Sequence, residues 1–178
     1  MSDARIIQNL ALVGFMGTGK SAVGRLAAQQ LHFAFLDTDE LIENEVGKSI
    51  SEIFAQQGEA AFRKYEQDVV KALIARRDTV IAAGGGLVAE PSNLASLKTH
   101  ALVVCLWSSP ETIWARVRTQ THRPLLQTPD PQAKIRELLA QRAPAYRQAD
   151  VQILTDFRSP KDVAQHVLHQ FHLARKTK

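Results

Sequence analysis

Residues 10–31, LALVGFMGTGKSAVGRLAAQQL, leave the chain little choice of architecture. The stretch 10–14 is continuously apolar, as in a strand buried on both faces of a sheet. A helical pattern follows, with Val23, Leu26, Ala27 and Leu31 on one side. Between them, GFMGTGKS fits G-x-x-x-x-G-K-[ST] through Gly14, Gly19, Lys20 and Ser21. Such glycines let backbone N–H groups turn inward around phosphate oxygens, and the next helix aims its positive N-terminal end at the same point. The loop at 14–21 therefore implies a nucleoside triphosphate held by Gly17, Thr18, Gly19, Lys20, Ser21 and Ala22. Lys20 would reach the β- and γ-phosphates, and Ser21 would ligate Mg²⁺.

The rest of the chain alternates short apolar runs with helical patterns. Strands are expected at FAFL (33–36), TVIAA (79–83), ALVVCLW (101–107) and VQILT (151–155). Helices are expected at 39–46, from the Ser49/Glu52 capping box to Gly58, at about 59–76, from Pro110, from about 131 with a break at Pro144, and at 160–174. Residues 119–130 read as a mobile loop, and no element is assigned between the third and fourth strands. The alternation predicts an α/β fold of three layers, with a five-stranded parallel sheet between helices. In such sheets ligands lie beyond the carboxyl ends of the strands, where GFMGTGKS, DTD and GGG all stand.

A chain of 178 residues suits one domain, 1–178. Lys and Arg form no contiguous patch despite the net charge of +4, which argues against a nucleic-acid partner. No run approaches the ~18 apolar residues that span a bilayer, and the start lacks the features of a secretory signal. The single Cys105 cannot form a disulfide within the chain and reads as a buried thiol; together these features favour the cytoplasm. Nothing in the sequence requires more than a monomer.

The acceptor must be sought outside the phosphate loop. There is no guanine-reading NKxD element, and AAGGG stands where a GTPase would carry Asp-x-x-Gly, so a small-molecule kinase fits best. Asp37 and Asp39 flank Thr38, and alternation in extended chain would point both carboxylates the same way; capping of the next helix is the plainer reading. Two carboxylates there could divide the labour, one toward Mg²⁺ and one toward the attacking hydroxyl. Arg63 and Glu66 have i, i+3 spacing, which alone is no more than a helix-surface pair.

Taken together, GFMGTGKS, LDTD, GKSISEIFAQQGEAAFRKYE, GGGLV, RPLL and RAPAYR resemble the shikimate kinase family in content and order, over about residues 8–170. The resemblance implies ATP-dependent phosphorylation of the shikimate 3-hydroxyl, with a substrate-binding segment at about 37–66 and a lid at about 115–130. It implies that Asp39 binds the shikimate hydroxyls and activates the 3-hydroxyl, and that Asp37 helps hold Mg²⁺. Arg63 and Arg142 would grip the substrate carboxylate, Glu66 would support Arg63, and Gly84, Gly85 and Gly86 would form the floor beneath the ring. Arg123 would close over the ATP phosphates, while Arg116 and, across a one-residue gap, Arg158 would flank adenine. Relatives often carry Ser or Thr just before the three glycines; here Ala82 and Ala83 stand there, so more of the Mg²⁺ arrangement rests on Ser21 and Asp37. The alternatives are a gluconate-type kinase and a catalytically silent nucleotide-binding module.

Overall fold

The structure, a computed structural model, describes residues 5–120 and 126–176. Five strands, β1 (Asn9–Val13), β2 (Ala34–Asp37), β3 (Thr79–Ala82), β4 (Ala101–Trp107) and β5 (Val151–Leu154), form one sheet in the order β2-β3-β1-β4-β5. Every pairing is parallel, and β1 is central, with Leu12 opposite Ala82 on one side and Val104 on the other. Successive residues of β1 face opposite layers. Leu10 and Leu12 pack with Val23, Ala27, Val167 and Phe171, from α1 (Lys20–Leu31) and α7 (Pro160–Lys176). Ala11 and Val13 belong to a second core. It is filled from α2 (Thr38–Val46), α3 (Ile50–Leu73), α4 (Pro91–His100), α5 (Pro110–Val117) and α6 (Pro131–Tyr146). The need to be apolar on both faces explains why 10–14 shows no alternation. Cys105 lies fully buried in that second core, and burial pushes its thiol up to about 12.

Three local expectations change. Thr38 already begins α2, so Asp37 and Asp39 are not neighbours along one face of extended chain. Instead Asp37 caps α2 by accepting the Asp39 N–H at 3.0 Å. Pro144 does not interrupt α6, which runs on to Tyr146. The helix α4, which the sequence reading leaves out, starts with Pro91 at its first turn and Glu90 as its cap. The break at Gly58 stands: its φ of 81° and ψ of 173° part α3 into two helical pieces.

Phe157, on the turn between β5 and α7, combines a φ of 57° with full solvent exposure. The left-handed region is costly for a bulky side chain and milder for Asn. Phe157→Asn gives up no packing, so it is expected to stabilise the fold by about 0.5–1 kcal/mol, raising Tm by about 1–3 °C in a thermal melt. An unchanged or lower Tm would show that the aromatic ring is compensated elsewhere.

Candidate active site

The phosphate loop leaves β1 and enters α1 at Lys20. Gly19 takes a φ of 93°, and no side chain caps the N-terminus of α1. Its first-turn N–H groups therefore face the loop without a side-chain partner. The Lys20 ammonium donates to the carbonyls of Gly14 at 2.9 Å and Phe15 at 2.8 Å. The Thr18 hydroxyl donates to the same Phe15 carbonyl at 2.8 Å, so it shapes the loop from behind. Ser21 Oγ donates to Asp37 Oδ2 at 2.6 Å. Asp37 thus serves both as the cap of α2 and as the neighbour of the phosphate loop.

A cavity of about 530 Å³ opens beside this loop. Gly17, Gly19, Lys20, Ser21 and Ala22 line one part of it, with Arg116 nearby. Asp37, Asp39, Arg63, Glu66, Gly85, Gly86 and Arg142 line the rest, with Ile50, Phe54 and Phe62 as apolar wall. The Arg63 guanidinium is held on two flanks. Nη1 donates to Glu66 at 2.6 Å, while Nε and Nη2 donate to Glu59 at 3.2 and 2.7 Å. Glu66 is 1% exposed, whereas Glu59 is largely exposed. Burial raises the Glu66 carboxyl above its ordinary value; Arg63 and more weakly Arg142 pull it back, and Asp39 adds to the rise. Burial works against the Arg63 charge, but Glu66 and Glu59 outweigh it and hold the guanidinium above its ordinary value.

The three glycines follow β3 and meet these groups at close range. A Cβ on Gly84 would stand 2.5 Å from Asp39 Oδ1 and 3.1 Å from Glu66 Oε1. One on Gly86 would stand 2.5 Å from Arg63 Nη1. One on Gly85 would come within 3.2 Å of the Met16 nitrogen, in the phosphate loop itself. The glycines are small because the site's own carboxylates, guanidinium and loop backbone crowd against them. Gly84 does not line the cavity but lies behind Asp39. Arg142, buried on α6, donates to the Gly85 carbonyl at 3.1 Å, with its guanidinium 5.6 Å from the centre of the Phe15 ring.

Two further arginines lie toward β5. Arg116 donates to Gly17 O, Ser108 Oγ and Thr155 Oγ1, each at 3.1 Å, and to Thr155 O at 2.9 Å. It ties the phosphate loop to the turn after β5. Arg158, on that turn, lies 3.3 Å from His166 Nδ1 and does not line the cavity. Arg123 lies outside the described residues. Sequence reasoning missed Thr38, whose hydroxyl accepts the Gly84 N–H at 2.8 Å, and Tyr146, whose hydroxyl donates to Gly85 O at 2.5 Å. The available signal for Tyr146 was its place four residues after Arg142, on the same helical face.

A phosphate loop on the central strand, a pair of aspartates beside it and two arginines converging on a glycine floor define a phosphate-loop kinase for a small anionic acceptor. Residues 16–172 match the family model described as shikimate kinase. A shikimate kinase of Thermodesulfovibrio yellowstonii is 42% identical over 165 residues, spanning 93% of this chain and 95% of that one. The structure of Acinetobacter baumannii shikimate kinase in complex with shikimate superposes with a TM-score of 0.91 at 39% identity, covering 98% of this chain and 97% of that one. A gluconokinase from Sinorhizobium meliloti shares the fold at a TM-score of 0.63 but only 15% identity, over 97% of this chain and 96% of that one. The chain belongs to the shikimate kinase family.

Proposed function

We infer that the protein transfers the γ-phosphoryl group of ATP to the 3-hydroxyl of shikimate, a step of chorismate and aromatic amino acid biosynthesis. One observation carries the reading: Asp39, Arg63, Arg142 and the glycine segment share one cavity with Lys20 and Ser21. Shikimate is a polyol with one carboxylate, and guanidinium forks suit a carboxylate as a point-charge ammonium does not. Arg63, held by Glu66, and Arg142 take that carboxylate. Asp39 orients and deprotonates the 3-hydroxyl. Gly17, Thr18, Gly19, Lys20, Ser21 and Ala22 cradle the phosphates, with Arg123 closing over them and Arg116 and Arg158 on the nucleoside side. Phosphoryl transfer needs mainly positioning and charge neutralisation, and these groups are of the types that provide both.

Mg²⁺ fits the donors present. Ser21 Oγ and Asp37 Oδ2 are hard oxygen atoms 2.6 Å apart. Mg²⁺ commonly takes one or two protein ligands and fills its shell with water and nucleotide phosphates. When bound with ATP, the ion neutralises the charge that gathers on the phosphates. The protein acts as a single-domain monomer over 1–178 in the cytoplasm; among the described residues no helix is long and apolar enough to cross a membrane.

The test is coupled ADP release with shikimate, gluconate and nucleoside monophosphates offered separately. Turnover with shikimate alone is expected, and turnover only with another acceptor would refute the reading. Glu66 offers a sharper check. Its raised carboxyl means that burial disfavours the ionised form, so the neutral amide of Glu66→Gln costs the fold little. Arg63 keeps Glu59 as a partner but loses its fixed one. Glu66→Gln should keep Tm within about 3 °C while raising the shikimate KM by about 10-fold. An unchanged KM would remove Glu66 from the support of Arg63.

A further inference from the structure

The glycine segment 84–86 has no side chains to pack, so hydrogen bonds must fix where it sits. Two of those bonds come from buried hydroxyls on opposite sides. Thr38, fully buried at the start of α2, accepts the Gly84 N–H through Oγ1 at 2.8 Å. Tyr146, 1% exposed near the end of α6, donates its hydroxyl to Gly85 O at 2.5 Å. Arg142, one turn earlier on α6, donates to that same oxygen at 3.1 Å. The carbonyls of Gly84 and Gly86 accept from Leu87 N and Ala89 N at 3.1 and 3.0 Å. The N–H groups of Gly85 and Gly86 have no such partner among the described residues, and both glycines line the cavity.

The Tyr146 ring is itself held edge-on to Trp107, with centroids 6.4 Å apart at 77°. Burial pushes its phenol well above the ordinary tyrosine value against the opposing pull of Arg142, so the hydroxyl keeps its proton to donate. Arg142 is braced through Nη1 on the Gly85 carbonyl, beside the Tyr146 hydroxyl, and its guanidinium lines the cavity. Thr38 sits between Asp37 and Asp39, so the residue that anchors Gly84 belongs to the same turn that carries both aspartates.

We propose that Thr38 and Tyr146 are positioning residues. Their hydroxyls hold segment 84–86 so that its two free N–H groups and the Arg142 fork meet the acceptor carboxylate together. This rests on the reading of the cavity as the shikimate site. The bonds of both hydroxyls end on Gly84 and Gly85 rather than on Gly17, Gly19, Lys20 or Ser21, so their loss should tell on the acceptor before the nucleotide.

The test is steady-state kinetics and thermal melting of the full chain as Tyr146→Phe, Thr38→Val and Thr38→Ser. Wild-type turnover of shikimate is measured first, so a failure of the substrate reading appears there and a failure of the positioning reading only in the variants. Tyr146→Phe and Thr38→Val are expected to raise the shikimate KM about 5- to 20-fold, with the ATP KM within about twofold. Thr38→Ser keeps the hydroxyl and should return the shikimate KM to within about twofold of wild type. An unchanged shikimate KM in Tyr146→Phe, or an equal rise in both KM values, would overturn the proposal. If Thr38→Val fails to fold, Tyr146→Phe decides alone by the same two criteria.

Discussion

Asp39→Asn is expected to lower kcat by about 10³-fold while ADP still binds with near wild-type affinity. Asp39 lies on the first turn of α2, beside the glycine floor, and lines the same cavity as Lys20. Asparagine fills the same space and preserves the N–H that Asp37 accepts, so the geometry of the turn survives. What it loses is the charge proposed above to orient and deprotonate the attacking hydroxyl. Positioned proton transfer contributes about 10²–10⁴-fold in enzymes generally, so the loss should fall almost wholly on kcat. Stopped-assay kcat values and ADP titration check this together. A kcat within about tenfold of wild type would show that the hydroxyl needs no carboxylate at this position.

Arg63→Ala is expected to act on the other half of the reaction, lowering kcat/KM for shikimate by about 100-fold with little change in the ATP KM. Each charge-assisted hydrogen bond contributes about 1.5–3 kcal/mol, and a bidentate grip supplies two. Arg63→Lys should recover only part of the loss, because an ammonium cannot span both carboxylate oxygens. Removing Arg63 also strips Glu66 of the partner that offsets its burial, so its carboxyl should rise further and the alanine variant should melt lower. A loss spread equally over ATP and shikimate would mean that Arg63 supports the whole site rather than the acceptor carboxylate.

The sequence was most informative where the chemistry is local. The phosphate loop needs contiguous residues, so GFMGTGKS could be read directly, together with the strand before it and the helix after it. The break at Gly58 and the Ser49/Glu52 capping box are local for the same reason. Helix α4 escaped because only Leu94 and Leu97 mark its buried face as apolar; the need of parallel strands for a crossover was the stronger hint. At DTD the alternation argument fails because α2 begins at Thr38, while the plainer capping reading holds for Asp37. Its capping and its hydrogen bond with Ser21 turn out to be compatible, since separate carboxylate oxygens serve each.

The site itself is assembled over long separations that no spacing rule reveals. Arg142 reaches Gly85 across 57 positions, and Gly84 meets Thr38 across 46. Family resemblance supplied Arg142, while Thr38 and Tyr146 became visible only through the bonds they make. The resemblance makes the three glycines a floor beneath the acceptor; their neighbours add that Asp39, Glu66, Arg63 and the phosphate loop crowd around the same short segment.

The most direct measurement is ³¹P NMR of the product formed from ATP and shikimate. The account predicts one new phosphomonoester on the 3-hydroxyl, formed in step with ADP. Phosphate on another hydroxyl, or ADP released as inorganic phosphate accumulates with shikimate untouched, would contradict it.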